Sequence, residues 1–239
     1  MKNLILYTFL LCFHAGVCYS QKQISVDDCL PVRNTEDAAW IGRYEKEVLE
    51  LEKKEALATD AGCDALFIGS SSIRMWQTLE DDFAPLRVVN RGYGGASIRD
   101  LLYNYHRIIG RYHPERFVFY AENDMTGSAT DISVSMTFDL YRLFFERIRR
   151  DFPQARLYIL SVKPSLSRKN MIPKYRILNE LLREYAAETD RCSFVDVAAA
   201  LLDANGDPNP ALFLPDNLHL NNEGYRAWTN ILKPYLMTH

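Results

Sequence analysis

Short apolar runs alternate along the chain with longer segments in which apolar residues recur at helical spacing. Residues 65–68 (ALFI) form one such run, which ends at Gly69 and is typical of a strand buried on both faces. Similar runs occupy residues 87–90, 117–120, 157–160 and 194–197, and helical spacing covers residues 98–109, 134–150, 175–188 and the segment after Asn222. Strands that alternate with helices of this length predict an α/β fold with a parallel sheet covered on both faces.

The chain before the first strand has a different pattern. Residues 21–33 show no period and predict an extended arm, whereas residues 34–58 have helical spacing, with Asn34 as a candidate cap and Glu36 in the first turn. No repeat or low-complexity linker interrupts the later part. We therefore divide the chain into an N-terminal arm and amphipathic helix, 21–63, and one domain, 64–239.

The first twenty residues have the pattern of an export signal. Lys2 supplies a positive start, residues 4–18 are mostly apolar, and Ser20 is a small residue before the expected cleavage point. The apolar run is shorter than the roughly 20 residues of a membrane span, so no transmembrane segment is predicted. The pattern predicts a periplasmic or secreted protein. Lipid anchoring at Cys18 is the alternative, although Ala15 stands where a lipoprotein signal usually has an aliphatic residue.

Composition narrows the possible functions. The chain is 48% hydrophobic and 25% charged, values that are ordinary for a globular protein and exclude a disordered or collagenous chain. Its net charge of −3 offers no basic excess to attract nucleic acid. The histidines and cysteines have no metal-ligand spacing, so the sequence predicts neither a metal nor another cofactor.

The residues after each strand are the candidates for function, because ligands of such sheets bind at the carboxyl ends of the strands. Ser71 follows the first strand in the segment Gly69-Ser70-Ser71-Ser72. It either caps the next helix or is a nucleophile beside backbone N–H groups that can stabilise an oxyanion. The α/β-hydrolase pattern G-x-S-x-G does not fit, because residue 73 is Ile.

Two further segments follow strands. The glycine-rich segment 90–96 (NRGYGGA) either forms a simple turn or lets a backbone N–H approach a ligand closely. Asn123, after the third strand, either satisfies loop backbone groups or donates its side-chain N–H to a developing negative charge.

One histidine has the setting of a catalytic base. His219 lies in a loop three residues after Asp216, whereas the other histidines beyond the signal lie at the terminus, in a polar turn or within a predicted helix. Asp216 can orient the imidazole ring and stabilise the imidazolium that forms on proton transfer. Alternatively, Asp216 caps a turn and His219 packs at the start of the last helix. The functional interpretation predicts a set of Ser71, His219 and Asp216.

Together these segments resemble the SGNH, or GDSL-type, esterase and lipase superfamily, whose four blocks carry Ser, Gly, Asn and His in that order. The matching segments are Gly69-Ser70-Ser71, residues 90–96, Ala121-Glu122-Asn123-Asp124 and Asp216-Asn217-Leu218-His219. The resemblance covers residues 64–236. It implies a three-layer α/β/α fold with a flavodoxin-like five-stranded parallel sheet in the order 2-1-3-4-5. In that order, three strand spacings separate Cys63 from Cys192, too far for a disulfide.

The same resemblance implies roles for individual residues. Ser71 is the nucleophile, His219 is the base, and Asp216 lies behind it. The backbone N–H groups of Ser71 and Gly95 and the side chain of Asn123 form the oxyanion hole.

Three features leave these roles open to correction. Gly92 or Gly94 can hold the glycine position instead of Gly95. Ser70 replaces the aspartate of the Gly-Asp-Ser motif, and Ala121 replaces the glycine of the third block, which adds a methyl group near the oxyanion hole.

The sequence thus predicts an exported serine esterase that acts on short-chain, acetyl-type esters, in small molecules or polysaccharides. Arg74, Trp76, Tyr93 and Arg168 are expected on the rim of the site, where aromatic and polar groups can stack on and hydrogen-bond a sugar. A lysophospholipase or lipase-type acylhydrolase is the first alternative, disfavoured because no long apolar stripe lies near the motifs. The second is a non-catalytic exported binding protein of the same fold, suggested by the two motif departures.

Overall fold

A computed structural model describes residues 40–58 and 62–237. Across these ranges five strands form one parallel sheet in the order β2-β1-β3-β4-β5. The strands are Ala65–Gly69 (β1), Val88–Gly92 (β2), Arg116–Tyr120 (β3), Arg156–Leu160 (β4) and Cys192–Val195 (β5). The α/β class and the strand order implied by the resemblance are confirmed.

Helices connect the strands and flank the sheet. The α-helices of the described ranges are Glu45–Leu57 (α1), Ser71–Arg74 (α2), Leu79–Phe83 (α3), Ile98–Tyr103 (α4), Tyr105–Ile109 (α5), Val134–Asp151 (α6), Ile172–Ala187 (α7) and Asn222–Met237 (α8). Short 3-10 segments lie at Leu166–Met171, Ala199–Leu201 and Pro210–Leu212.

Helices cover both faces of the sheet. Successive strand residues point to opposite faces, so neighbouring residues of one strand pack against different helices. Phe119 of β3 packs edge-on against Tyr141 of α6, with ring centroids 5.1 Å apart. The next residue, Tyr120, lies on the other face against Trp228 of α8, at 5.0 Å. Burial on both faces explains why the strands are near-continuous apolar runs in the sequence.

A buried arginine of β2 connects helix α1 to the sheet through hydrogen bonds. The Arg91 guanidinium, in a residue that is 1% exposed, donates to the carbonyl oxygens of Leu51 in α1 and Ile108 in α5, both at 2.8 Å. Arg107 adds an ion pair with Glu52 of α1 at 2.7 Å. Helix α1 therefore contacts the sheet-bearing part directly. The division of the chain at residue 63 stays a prediction.

Most elements shift by one to three residues from their predicted bounds, and three of the differences concern the helix before β1, the helical segment after β2 and the last strand. The helix predicted over 34–58 begins at Glu45 because residues 40–44 form turns, and residues before 40 lie outside the described ranges. The helix predicted over 98–109 is divided at Asn104 into α4 and α5. The last strand ends at Val195 because Asp196 turns the chain, with its Oδ1 accepting the backbone N–H of Ala199 at 3.3 Å.

The predicted export signal over residues 1–20, with Cys18, lies outside the described ranges, so export and lipid anchoring stay predictions. Within the described ranges, no helix has the length and apolar character needed to cross a membrane. Cys63 and Cys192 both carry free thiols, as the strand order predicts.

Candidate active site

The candidate nucleophile, Ser71, is the first residue of α2 and follows the end of β1 by two positions. Helix α2 lies directly on β2: a Cβ atom added at Gly92 would be 2.4 Å from the backbone N of Arg74, so only glycine permits this contact. The N–H of Ser70 donates to the carbonyl oxygen of Tyr120 at 3.2 Å, which ties the same turn to β3. Ser71 is thereby held at the carboxyl edge of the sheet.

His219 connects this serine to a carboxylate. Its Nε2 lies 3.0 Å from Ser71 Oγ, and its Nδ1 lies 2.6 Å from Asp216 Oδ2. An ionised carboxylate only accepts hydrogen bonds, so the ring proton belongs on Nδ1 and Nε2 is left to accept from the serine hydroxyl. The fold thus brings together residues 148 positions apart in the arrangement of a Ser-His-Asp triad.

The Asp216 carboxylate serves both purposes that the sequence left open. Its Oδ1 accepts the backbone N–H groups of Leu218 at 2.9 Å and His219 at 3.0 Å, which caps the turn. Its Oδ2 holds the imidazole ring. Asn217 between them has a left-handed backbone, with φ of 58°. Turn formation and ring orientation are therefore coupled through one side chain.

Hydrogen bonding also sets the charge of this carboxylate. Partial burial alone would raise the pKa of Asp216, but the hydrogen bonds from the His219 ring, the His219 backbone and the Leu218 backbone outweigh burial and lower the pKa to about 2. Asp216 is consequently ionised at every pH at which an esterase is ordinarily assayed.

Among the three candidate glycines, Gly95 is the one that lies beside Asn123. Gly94 forms the turn, with φ of +41°, and a Cβ there would be 2.2 Å from the Tyr44 ring. Gly92 packs on α2. A Cβ at Gly95 would lie 3.8 Å from Asn123 Nδ2 and 3.2 Å from the Tyr44 hydroxyl. The geometry therefore favours Gly95 for the backbone position of the oxyanion hole.

The alanine of the third block leaves Asn123 at the site. Ala121 is buried, and its carbonyl oxygen accepts the Tyr141 hydroxyl at 2.8 Å, which anchors the start of the loop after β3. Asn123 is half-buried, and its Nδ2 donates to the carbonyl oxygen of Ala96 at 3.4 Å, next to Gly95. The added methyl group is thus buried, and the Asn123 carboxamide still lies beside the glycine segment.

Behind Asn123 lies a buried charged cluster that the sequence did not reveal. Lys163 Nζ contacts both carboxylate oxygens of Glu122, at 2.8 and 3.0 Å, and the Tyr120 hydroxyl donates to the same carboxylate at 2.5 Å. Burial alone would raise the pKa of Glu122, but the charges of Lys163 and Arg168 outweigh it and lower that pKa. The available signal was the presence of charged residues directly after two buried strands, β3 and β4.

Two of the predicted substrate contacts are wrong. Trp76, two residues after the end of α2, is 1% exposed because its ring stacks on the Tyr225 ring with centroids 5.2 Å apart, and its Nε1 donates to Asp82 at 2.6 Å. Tyr93 is fully buried, and its ring packs edge-on against Tyr44 at 5.7 Å. Neither ring can stack on a bound sugar.

The two predicted arginines lie in different settings. Arg74 is exposed at the C-terminal end of α2. Arg168 is half-buried, and its Nη2 donates to Asn123 Oδ1 at 2.9 Å. Arg168 is therefore bound to the candidate oxyanion residue rather than extended into solvent.

The arrangement is suited to acyl transfer, since a serine, a base and two groups of N–H donors converge at one sheet edge. Within residues 40–58 and 62–237, no group of three or more His, Cys, Asp or Glu side chains is placed to hold a metal ion. That the protein needs no cofactor is a prediction from the sequence, which this finding does not test.

Known proteins resemble this chain in sequence or in fold. Over 213 residues the chain is 25% identical to platelet-activating factor acetylhydrolase IB subunit alpha1 of Bos taurus, covering 87% of each chain. A GDSL-like lipase of Bacteroides thetaiotaomicron superposes with a TM-score of 0.65 at 20% identity, over 82% of this chain and 97% of that one. An acetylxylan esterase of Geobacillus stearothermophilus superposes with a TM-score of 0.56 at 16% identity, over 74% and 95%.

The chain also matches the model of a protein family. The model of the GDSL-like lipase/acylhydrolase family matches residues 61–227, which is more than half of the chain. The chain therefore belongs to this family, and the predicted family resemblance is confirmed. It is a hydrolase that acts on ester bonds.

Proposed function

We propose that the protein is an exported serine esterase that removes short acyl groups, acetyl above all, from hydroxyl groups of a carbohydrate or a small molecule. The observation that carries this proposal is the continuous chain of hydrogen bonds from Ser71 Oγ through the His219 ring to Asp216, with distances of 3.0 and 2.6 Å.

In the proposed reaction, His219 Nε2 takes the Ser71 proton as Oγ attacks the ester carbonyl carbon. The N–H groups of Ser71, Gly95 and Asn123 receive the oxyanion of the tetrahedral intermediate. His219 then returns the proton to the departing alcohol oxygen. Water, deprotonated by the same ring, attacks the acyl-enzyme, and the acid leaves as Ser71 regains its proton.

The names of two similar proteins support a short acyl group. The bovine relative is an acetylhydrolase and the Geobacillus neighbour is an acetylxylan esterase, so both names refer to acetyl groups. The substrates in those names differ, one being platelet-activating factor and the other acetylxylan.

The carbohydrate part of the proposal depends on fewer groups than the sequence predicted. With Trp76 and Tyr93 buried, the available polar and aromatic groups are Arg74 and Tyr44. The Tyr44 ring is half-buried, and its hydroxyl lies next to Gly95. A ring with a hydroxyl at this position suits stacking on, and hydrogen bonding to, a sugar.

The test is an activity series on p-nitrophenyl acetate, butyrate and octanoate. We expect kcat/KM to be highest on acetate and to fall at least about 10⁴-fold in Ser71→Ala. Ser72→Ala is the matched control, because that buried hydroxyl has no hydrogen-bond partner among the described residues. If no ester shows Ser71-dependent turnover, the proposal is wrong.

The choice of substrate is tested with the same preparations. A preference for octanoate would favour the lipase-type alternative. Acetylated xylo-oligosaccharides and an acetylated glycerophospholipid, compared at equal concentration, separate a carbohydrate alcohol from a lipid one.

The export part rests on residues 1–20 and has its own test. We expect the N-terminus of protein recovered from the exported fraction to be Gln21. A lipid-modified Cys18 would support anchoring instead, and an intact Met1 would contradict export.

A further inference from the structure

The charges behind the oxyanion side have an arrangement that the proposed triad does not require. The side chains of Glu122 and Lys163 are 1% and 0% exposed, and that of Arg168 is 12% exposed. Both oxygens of Glu122 are taken up by Lys163, and Arg168 Nη1 approaches Oε1 only to 3.4 Å. The second nitrogen of the guanidinium, Nη2, is directed to Asn123 Oδ1 at 2.9 Å.

This contact fixes which end of the carboxamide faces the site. A guanidinium has donors and no acceptor, so the Asn123 group beside Arg168 must be its oxygen. Its Nδ2 is then on the opposite side, towards Gly95 and the carbonyl oxygen of Ala96. Turning the carboxamide by half a rotation would bring its NH2 group against the guanidinium N–H groups, two sets of donors facing each other in a partly buried place.

The cluster also carries charge. Glu122 faces two cations, Lys163 at 2.8 Å and Arg168 at 3.4 Å, so the nearer Lys163 compensates more of the carboxylate charge and Arg168 is the less compensated cation. A cation on the carboxamide oxygen polarises the group and strengthens its N–H as a donor. The effect is greatest where a negative charge develops during the reaction.

The backbone supports this placement of the arginine. Arg168 departs from helical angles inside the 3-10 segment Leu166–Met171, with φ of −124° and ψ of 34°. The next residue, Lys169, is exposed and pairs with Asp207 at 3.1 Å. Two successive cations of one segment therefore have separate partners, one at the site and one at the surface.

We propose that Arg168 is a positioning residue that holds the Asn123 carboxamide with its N–H directed at the oxyanion, and that the Glu122–Lys163 pair holds Arg168. This inference rests on the proposed serine esterase mechanism. It replaces the predicted role of Arg168 as a substrate contact.

The test is a double-mutant cycle with p-nitrophenyl acetate as substrate. Asn123→Ala is expected to lower kcat about 10²–10³-fold. Arg168→Met, which keeps the length but removes the donors, is expected to lower kcat about 10- to 100-fold with KM changed less than about twofold. In the Asn123→Ala background, Arg168→Met should cause almost no further loss, because the group that it positions is gone.

Lys169→Met is the matched control and should leave kcat within about twofold of the unchanged protein. Arg168→Lys keeps the positive charge opposite Glu122, so it is expected to fold even if Arg168→Met does not. Its smaller loss of kcat should also vanish in the Asn123→Ala background. Circular dichroism of each variant shows that the fold is retained.

Two results would overturn the proposal. Losses that multiply in the double variant would mean that Arg168 acts independently of Asn123, and a raised KM with unchanged kcat would mean that it binds substrate. These outcomes require an active enzyme, so they are distinct from failure of the proposed function. Absence of any Ser71-dependent turnover would overturn both proposals together.

Discussion

The two sides of the candidate site are built in opposite ways. On the base side, Asp216 and His219 are three residues apart in one loop, with side chains 47% and 19% exposed. On the oxyanion side, Asn123 and Arg168 are 45 positions apart, and the charges that support them are almost fully buried. A short loop can orient a ring by itself, whereas the carboxamide depends on partners that only the packed sheet supplies.

Two carboxyl groups also differ in burial: Asp216 on the base side is exposed, whereas Asp124, the residue after Asn123 on the oxyanion side, is buried. Hydrogen bonds lower the pKa of exposed Asp216 to about 2, whereas burial raises the pKa of Asp124 to about 7. Asp124 Oδ2 accepts the N–H of Ile98 at 2.9 Å, and its Oδ1 has no hydrogen-bond partner in the described part of the chain. Because of these differences, changes on the base side should affect catalysis and leave stability nearly intact, whereas changes behind the oxyanion side should affect stability strongly.

The largest effect is expected from Asp216→Asn. Asparagine retains an oxygen for the turn but allows the wrong tautomer of His219, so kcat should fall about 10³- to 10⁴-fold. The free energy of unfolding should change by less than about 1 kcal/mol, since this carboxylate is half exposed. Initial rates and urea denaturation measure the two quantities.

Asp203→Asn is the matched control for that substitution. Asp203 Oδ1 caps a turn in the same manner, accepting the N–H groups of Asn205 at 2.8 Å and Asp207 at 3.1 Å, without a histidine. The Asp203→Asn variant should have unchanged activity. Near-normal activity of Asp216→Asn would contradict the prediction, because it would show that His219 works without the carboxylate.

A smaller effect, on stability, is expected from Lys163→Met. The substitution leaves the buried Glu122 carboxylate without its main partner, and breaking a buried pair in this way typically costs about 3–5 kcal/mol. The double variant Lys163→Met with Glu122→Gln should lose less, because the uncompensated charge is also removed. Urea denaturation measures both.

Lys169→Met gives the reference for an exposed pair. Its partner is Asp207, the two side chains are 51% and 59% exposed, and such pairs contribute about 0–1 kcal/mol. Equal losses for Lys163→Met and Lys169→Met would mean that the cluster behind Asn123 does not support the fold.

The smallest effect is a dependence of stability on pH that comes from Asp124. The folded protein keeps this proton up to about pH 7, whereas an unfolded aspartate releases it near pH 4, so over this range the unfolded state binds fewer protons. The free energy of unfolding therefore decreases as pH rises, by roughly 1 kcal/mol between pH 6 and pH 7.

Asp124→Asn should remove this decrease. The measurement is the difference in unfolding free energy between the two proteins at each pH, in which other titrating groups cancel. A difference that stays constant from pH 6 to pH 7 would contradict the prediction.

The elements that were predicted well are those with strong local patterns. The apolar runs indicated all five strands to within two residues at each end, since burial on both faces leaves few polar positions in them. The bounds that shifted, at Asn104 and Val195, depend on side-chain hydrogen bonds of Asn104 and Asp196 that periodicity does not contain.

The candidate site likewise has a part that local sequence patterns predicted and a part that they did not. The spacing of Asp216 and His219 indicated the base side, because both groups belong to one turn. Burial decided the remainder: Trp76 and Tyr93 are residue types that suit a sugar-binding rim, but both rings are buried in the core, one just after α2 and the other just after β2.

The order of local signals thus determined the α/β class, the serine, the histidine and its carboxylate, because each depends on residues close together in the sequence. Three other features became apparent only in the folded chain: which glycine lies beside Asn123, which way the Asn123 carboxamide faces, and the hydrogen bond from Arg168 to its oxygen. Those outcomes require contacts between the loops after β2, β3 and β4. Such loops meet because parallel strands end at one edge of a sheet, whatever their separation along the chain.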